Sequence, residues 1–235
     1  MKILAMDTAT TRLSVALLDD GEVLGLVDDA APGAHGRLLV PAIDRVLGAA
    51  KLALGELDGL AVSIGPGSFT GLRVGLATVM GFRLAAGLPI VAVPTLEALA
   101  WNVRGTRETV CPLLIARSHD VYWALYRWEG NTVATVEPAQ VGPVATLPER
   151  LPASILPVGE GWVRHRDLLA PLFERQGIRC AEAEASAMTA SAVSVGLAGL
   201  ERLRRGDLAG PSLAPLYVQR PEAEVKRAEA AKATR

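Results

Sequence analysis

The chain has 235 residues, half of them apolar, and its 24 basic and 25 acidic residues leave a formal charge of −1. A chain of this length buries enough apolar surface to fold without disulfides, which excludes intrinsic disorder for most of it. The balanced charge argues against strong nucleic-acid binding by this chain alone, and two cysteines without a CxxC partner argue against a thiolate metal site.

Targeting signals are not indicated. The N-terminus reaches Asp7 before the apolar region of a signal peptide could form. The longest uncharged stretch, residues 185–200, is shorter than a membrane span. We therefore expect a cytoplasmic protein that does not contact a membrane.

The chain begins with a predicted three-stranded meander. Apolar runs at residues 3–6 and 13–18 are joined by a polar turn, and a second turn leads to a strand at 22–27. Apolar residues at helical spacing then predict a helix over residues 36–51.

A strand, a glycine-rich loop and a second helix follow. The strand is predicted at residues 60–64 and the helix at 69–86. Between Val74 and Phe82 this helix carries no charge on any side, which indicates burial all round or docking to another chain. A strand at 89–93 comes next, and Thr95 is placed to cap a short helix that ends at residue 103.

The second half repeats the opening pattern of strand, polar turn, strand, glycine turn and strand. This weak internal repeat and the polar residues 104–108 predict two lobes. Further along, the pattern predicts a short strand before Gly159, a long helix over 186–205 and a last extended segment over 213–218. The predicted units are an N-terminal lobe over residues 1–104, a C-terminal lobe over 105–220 and a charged tail over 221–235.

The sharpest motif is the loop from Gly65 to Gly75, GPGSFTGLRVG, which follows a strand and opens a helix. Backbone amides and the helix dipole at such a place favour an anion. The loop lacks the Gly-Lys-Ser/Thr of a P-loop, and its third glycine comes one residue late for GxGxxG. Because Gly71 and Gly75 lie on one helix face, a packing device is an equally good interpretation.

Asp7 ends the first strand, where an acid could orient a metal-bound water or a phosphate, although a turn-capping role is favoured. The histidines His35, His119 and His165 have no partners at metal-ligand spacing, so we predict no metal site. His35, at the start of a helix, is expected to contact a turn or a partner. No Ser-His-Asp or Cys-His arrangement indicates nucleophilic catalysis.

Seven runs follow one another over residues 2–220: ILAMDTATTRLSVAL, AHGRLLVPAI, GPGSFTGLRVGLATVMG, PIVAVPTLEAL, VYWALY, VGEGW and PLYVQR. In this order they resemble the TsaB (YeaZ) family, the bacterial accessory subunit for synthesis of threonylcarbamoyladenosine at position 37 of tRNA. The resemblance implies an α/β, actin-like fold of the sugar kinase and Hsp70 type, with duplicated RNase H-like lobes whose mixed sheets are flanked by helices.

Comparison with TsaD, the catalytic paralogue of that family, implies a pseudo-enzyme. TsaD carries a His-Met-Glu-Gly/Ala-His metal motif where this chain has Thr95 and Leu99 in place of the histidines. Leucine offers no lone pair, so we expect no catalytic residue, metal or cofactor, and at most a vestigial nucleotide site at Asp7, Gly65 and Gly67. Ile115 stands where related chains commonly carry an acid, which further weakens a catalytic role.

The resemblance also implies partners. The two helices of the N-terminal lobe would dock on the same helices of TsaD, with the ATPase TsaE at the junction. The chain alone would form a homodimer, and tRNA would be reached only through the complex. The contact residues expected on and beside the two helices are His35, Leu38, Leu39, Ala42, Ile43, Phe69, Gly71, Leu72, Arg73, Gly75, Leu76 and Val79.

Two other functions stay open. An independent phosphotransferase or ATPase of the actin-like superfamily would use Asp7 and the loop at Gly65 on ATP. A peptidase, a function once assigned to relatives of the family, would need a nucleophile–base pair that the sequence does not indicate.

Overall fold

A computed structural model of the chain describes residues 1–117 and 119–218, and it contains two five-stranded mixed sheets. In the first sheet the order is β3-β2-β1-β4-β5, with β2 antiparallel to β1 and β3, and β4 parallel to β1 and β5. Its strands are β1 (Lys2–Asp7), β2 (Arg12–Asp19), β3 (Glu22–Ala30), β4 (Gly59–Ser63) and β5 (Ile90–Val93).

The second sheet repeats this topology in the order β10-β9-β6-β7-β8, again with three antiparallel strands and two parallel ones. The shared order confirms the predicted pair of duplicated mixed sheets. Its strands are β6 (Val110–Arg117), β7 (Asp120–Glu129), β8 (Thr132–Pro143), β9 (Ser154–Val158) and β10 (Arg179–Cys180).

Five α-helices cover these sheets within the described residues: α1 (His35–Ala50), α2 (Phe69–Ala86), α3 (Thr95–Trp101), α4 (Glu160–Arg175) and α5 (Ala192–Arg204). Helices α1 and α2 pack on the outer face of the first sheet, and α4 packs on the outer face of the second. Helices α3 and α5 lie between the two sheets. Short 3-10 helices occur at Leu54–Glu56, Val144–Arg150 and Ala185–Met188.

Strand β1 shows how the sequence builds this layered core. Its side chains alternate between the two faces of the sheet because the period of a strand is two. Leu4 and Met6 enter the cluster under α1 and α2, whereas Ile3 and Ala5 enter the cluster under α5. The strand is therefore buried on both faces.

Helix α2 has the predicted bounds, but other predicted elements differ. Helix α5 begins at Ala192 instead of residue 186, because the Ser191 hydroxyl caps it by accepting from the Val193 amide. Helix α4 and strand β10 were not predicted from the sequence. Cys111 is buried, whereas Cys180 is exposed on the edge strand β10. The predicted tail over 221–235 lies outside the described residues.

The predicted boundary between residues 104 and 105 falls between the two sheets, but the helices cross it. Helix α5, which the sequence analysis placed in the C-terminal lobe, packs on the first sheet through Gly196 and Gly199. A β-carbon at either glycine would overlap side chains of that sheet, Leu18 and Ala61 respectively. The two lobes as separate units therefore stay a prediction.

No helix in the described part of the chain is both long enough and apolar enough to cross a lipid bilayer.

Candidate functional site

Asp7 lies at the carboxyl end of β1, and its side chain is only 1% exposed. One carboxylate oxygen, Oδ1, accepts a hydrogen bond from the Ala9 amide at 3.1 Å, which is the turn-capping role that the sequence favours. Burial raises the pKa of the Asp7 carboxyl, and the Ser63 hydroxyl and the Ala9 amide oppose that shift only in part. The other oxygen, Oδ2, is buried without a hydrogen-bond partner among the described residues.

The glycine loop packs directly on the turn that follows Asp7. The Ser68 amide donates to the Ala9 carbonyl oxygen at 2.6 Å. A β-carbon at Gly67 would overlap the Ala9 backbone, and one at Gly71 or Gly75 would overlap Thr8. The glycines thus serve contacts within the chain, and the expectation that Gly71 and Gly75 admit a partner helix is wrong because Thr8 fills that space.

Several amides of this loop are already bonded within the chain. Ser68 caps α2 by accepting from the Gly71 amide at 3.2 Å, and its carbonyl oxygen accepts from the Leu72 amide at 2.9 Å. The Gly65 amide donates to the Thr95 hydroxyl at 3.1 Å. The amides of Gly65, Ser68 and Gly71 are therefore already engaged, and the close packing of Gly67 and Gly71 on the turn after Asp7 supports the packing interpretation of the loop.

Thr95 and Leu99, which occupy the positions of the metal motif, are both fully buried. The Thr95 amide donates to the Gly65 carbonyl oxygen at 2.8 Å, in return for the bond that the Thr95 hydroxyl accepts. Thr95 is the first residue of α3, and its predicted capping role is wrong because the hydroxyl bonds to Gly65 instead of its own helix. Leu99 packs in the apolar cluster between α3 and the second sheet.

A cleft of about 510 Å³ opens between the turns that follow β1 and β4 in the first sheet and the carboxyl end of β6 in the second. None of its lining residues in the described chain is Lys or Arg, and Glu160 at the start of α4 supplies its carboxylate. Burial raises the pKa of Glu160, the Ile115 amide lowers it, and the charge of Asp7 raises it further. The lining residues are Ala9, Thr10, Thr11, Gly33, His35, Gly36, Gly67, Ser68, Phe69, Thr70, Gly71, Leu114, Ile115, Ala116, Tyr122 and Glu160.

The carboxylate of Glu160 would repel a phosphate group placed beside it in this cleft. His35, another lining residue, is 6% exposed, and its Nε2 bonds to the carbonyl oxygen of Arg12 at 3.0 Å. That contact is the turn contact that the sequence analysis expected for His35. Glu160 and Tyr122 were missed as cleft residues, although the glycines on both sides of Glu160 indicated a close approach of backbones.

Most of the predicted docking residues face the interior. Six of them are at most 6% exposed: Leu39, Ala42, Ile43, Leu72, Leu76 and Val79. All of these except Leu72 belong to the apolar cluster between α1, α2 and the first sheet. They cannot be surface contacts of the folded chain, because the apolar stripe that the helical spacing revealed is the one that covers the sheet. Leu38 is partly buried, and Phe69 and Arg73 are exposed.

The two helices present a different stripe to solvent, which we call the outer face. Val40 is 53% exposed and Leu84 is 87% exposed. Gly36 lies one turn before Val40 and faces Val74 of α2, so the two helices form one continuous surface. The outer face consists of Val40 on α1 and of Thr70, Arg73, Ala77, Gly81 and Leu84 on α2. Beside Val40, α1 also exposes Arg37, Asp44 and Arg45.

Known proteins are similar to this chain in sequence. Residues 21–227 match the family model of TsaD, described as tRNA N6-adenosine threonylcarbamoyltransferase. The tRNA threonylcarbamoyladenosine biosynthesis protein TsaB of Escherichia coli K12 is 34% identical over 177 residues, which cover 72% of this chain and 75% of that protein.

Solved structures of similar fold are consistent with this family match. YeaZ from Pseudomonas aeruginosa is 29% identical, with a TM-score of 0.76 over 92% of this chain and 99% of that one. The ROK hexokinase from Thermus thermophilus is 11% identical, with a TM-score of 0.55 over 87% of this chain and 100% of that one, a likeness of fold that confirms the actin-like architecture. From the family match and these relatives, the chain belongs to the TsaB (YeaZ) family of tRNA threonylcarbamoyladenosine biosynthesis proteins, within the wider TsaD-related family.

Proposed function

We propose that this chain is a non-catalytic subunit that docks on its catalytic paralogue TsaD through the outer face, and that the assembly adds threonylcarbamoyl to N6 of adenosine 37 in tRNA. The ATPase TsaE binds where the two subunits meet. The chain forms a homodimer when TsaD is absent, and it meets tRNA only through the complex. The assembly acts in the cytoplasm.

The observation that carries the non-catalytic role is the burial of Thr95 and Leu99. Both are 0% exposed, and both are committed to contacts inside the chain, Thr95 with Gly65 and Leu99 with the core around the second sheet. Neither a hydroxyl already bonded to a backbone amide nor an aliphatic side chain can serve as the nitrogen ligand that the paralogue's motif supplies. The cleft lining, with Glu160 and without Lys or Arg, supports the same conclusion.

The docking role is supported by the chemistry of the outer face. Large exposed apolar side chains such as Leu84 and Val40 are typical of surfaces that another protein covers. Ala77 and Gly81 keep the middle of the face low, and a β-carbon at Gly81 would meet no atom within 4 Å, so a partner helix has room to approach closely.

The first experiment is reconstitution of tRNA modification from the cognate TsaD and TsaE, with and without this chain. We expect the modified nucleoside to form at full rate only when the chain is present. ATP turnover by the purified chain alone should equal background. Full product without the chain, or ATP turnover by the chain itself, would overturn the proposal.

The second experiment locates the docking surface. Ala77→Arg puts a charge in the middle of the outer face at an exposed helical position, where it should leave the fold intact. Val163→Arg on α4, at a residue that is 54% exposed and lies outside the outer face, is the matched control on a helix of the second sheet. We expect Ala77→Arg to abolish co-elution with TsaD while Val163→Arg retains it; equal co-elution of the two variants would remove the outer face from the proposal.

A further inference from the structure

Arg73 is an exposed arginine of the outer face whose guanidinium group is held by aromatic rings. Its guanidinium carbon lies 3.8 Å from the centroid of the Phe69 ring. Its Nε–H donates to the Tyr217 hydroxyl at 3.3 Å, and the rings of Phe69 and Tyr217 stack with their centroids 5.4 Å apart. Among the residues that the structure describes, no carboxylate forms an ion pair with Arg73.

Tyr217 reaches this place through the segment Asp207–Val218, which we call the strap. The strap leaves the end of α5 and runs along α2 from its last turn to its first. The Ala209 amide donates to the Ile90 carbonyl oxygen at 2.7 Å, and Arg83 of α2 donates to the Gly210 carbonyl oxygen at 3.1 Å. At the other end the Leu216 amide donates to the Ile64 carbonyl oxygen at 2.7 Å, which fixes the adjacent Tyr217 beside Arg73.

This arrangement leaves one side of the guanidinium group available. A guanidinium has five N–H donors in a rigid plane, and with Nε engaged the two terminal nitrogens stay unbonded to any described residue. Stacking on Phe69 fixes the plane without neutralising the charge. A planar fork fixed in this way matches the two oxygens of a carboxylate, with which arginine forms paired hydrogen bonds.

The residues around Arg73 indicate which kind of partner side chain would bind it. The rest of the outer face consists of Val40, Thr70, Ala77, Gly81 and Leu84 and contains no acid. Asp44, one turn after Val40 on α1, is exposed, but it forms no hydrogen bond or ion pair with Arg73 within the described residues. A partner that covers this face without supplying an anion would bury an unpaired charge, which is strongly unfavourable. Charge complementarity therefore calls for an acidic side chain.

We propose that Arg73 is the ionic anchor of the outer face and binds a carboxylate side chain of the protein that docks there, with Tyr217 as a positioning residue. The inference rests on the proposed function, because the docked protein is TsaD. It adds a stated chemistry for the partner surface and gives the strap a part in recognition.

The test measures the affinity of the full chain for cognate TsaD at low and at high salt. Arg73→Ala should weaken binding about tenfold or more at low salt and flatten the salt dependence. Arg73→Lys keeps the charge but loses the fork, so it should weaken binding nearly as much as Arg73→Ala while keeping the salt dependence. Tyr217→Phe, which removes only the hydroxyl that holds Nε, should weaken binding by a smaller factor and also keep the salt dependence.

Arg166→Ala on α4 is the control, because this arginine is exposed on another face. It should bind TsaD with unchanged affinity, and the melting temperatures of all variants should match that of the unmodified chain. Absence of any binding by the unmodified chain overturns the proposed function. Normal binding by the unmodified chain together with equal binding by Arg73→Ala overturns the anchor and leaves the proposed function standing.

Discussion

Thr95 and Gly65 exchange two hydrogen bonds, so the Thr95 side chain holds the glycine loop against the start of α3. The sequence indicated a polar residue at a helix start, which is the usual sign of a cap. It could not indicate that the hydroxyl turns away from its own helix, because that choice depends on a loop thirty residues earlier in the chain.

Thr95→Val should destabilise the chain by about 1–3 kcal/mol, because the shape is kept while the buried Gly65 amide loses its acceptor. Thr95→Ser keeps the hydroxyl and should lose less. Urea unfolding followed by circular dichroism measures both variants. Equal stability of Thr95→Val and the unmodified chain would show that the bond contributes nothing.

Asp7 is a buried carboxyl whose pKa is raised mainly by burial. The unfolded chain releases this proton near the ordinary pKa of about 3.9, and the folded chain holds it to a higher pH. The stabilising contribution of the protonated form is therefore fully present below about pH 3.9 and is lost as the pH rises through the folded-state pKa.

Asp7→Asn should consequently raise the free energy of unfolding at pH 7, since the amide keeps an oxygen for the Ala9 N–H and carries no charge. The advantage over the unmodified chain should shrink as the pH is lowered from 7 towards 4. Thermal melts over that range measure it. An advantage that grows on acidification would contradict the raised pKa.

Helix α2 was predicted with its observed bounds, but the side that it turns outward was not. Because the helix is apolar nearly all round, spacing alone does not distinguish the stripe under the sheet from the stripe in solvent. The surroundings of its glycines distinguish the two sides in the structure. Gly71 and Gly75 lie against Thr8 on the buried side, and Gly81 has no atom near it on the exposed side. That difference arises from contacts with the turn after β1, far away in sequence.

Gly71→Ala should therefore destabilise the chain by about 2–3 kcal/mol, because its β-carbon overlaps the Thr8 backbone. Gly81→Ala in the same helix is the matched control. It should stabilise the chain by about 0.5–1 kcal/mol, since alanine favours a helix and meets no atom there. Chemical denaturation compares the two; a loss of stability in both variants would contradict the assignment of the two faces.

The repeated strand pattern predicted the pair of sheets, and the resemblance predicted the actin-like fold that the comparison with solved structures confirms. The position of α5 was not predictable. An amphipathic pattern indicates that a helix covers an apolar sheet, but it does not indicate which of the two sheets. Packing decides: Gly196 and Gly199 fit against Leu18 and Ala61, and Arg202 of α5 pairs with Glu97 of α3 at 2.7 Å. Only one wall of the cleft was predictable from the sequence, because the other wall comes from the second sheet, which lies later in the chain.

A fragment of residues 1–104 should fail to fold alone, because without α5 it exposes the face that includes Ile3, Ala5 and Ala61. Co-expressed fragments 1–104 and 105–235 should form a folded pair, since the second fragment supplies that helix. Dispersion of NMR signals separates the two outcomes. A monomeric, well-dispersed fragment 1–104 would establish the lobe as an independent unit.

The crossing of α5 also sets the order of events during synthesis. The strands of the first sheet leave the ribosome early, yet much of one face of that sheet is covered only once α5, which ends at Arg204, has been made. A nascent chain that ends before that point exposes an apolar surface, and such surfaces are recognised by chaperones. Folding of the N-terminal half therefore requires synthesis of the chain through Arg204, and termination before that residue leaves the first sheet without this cover.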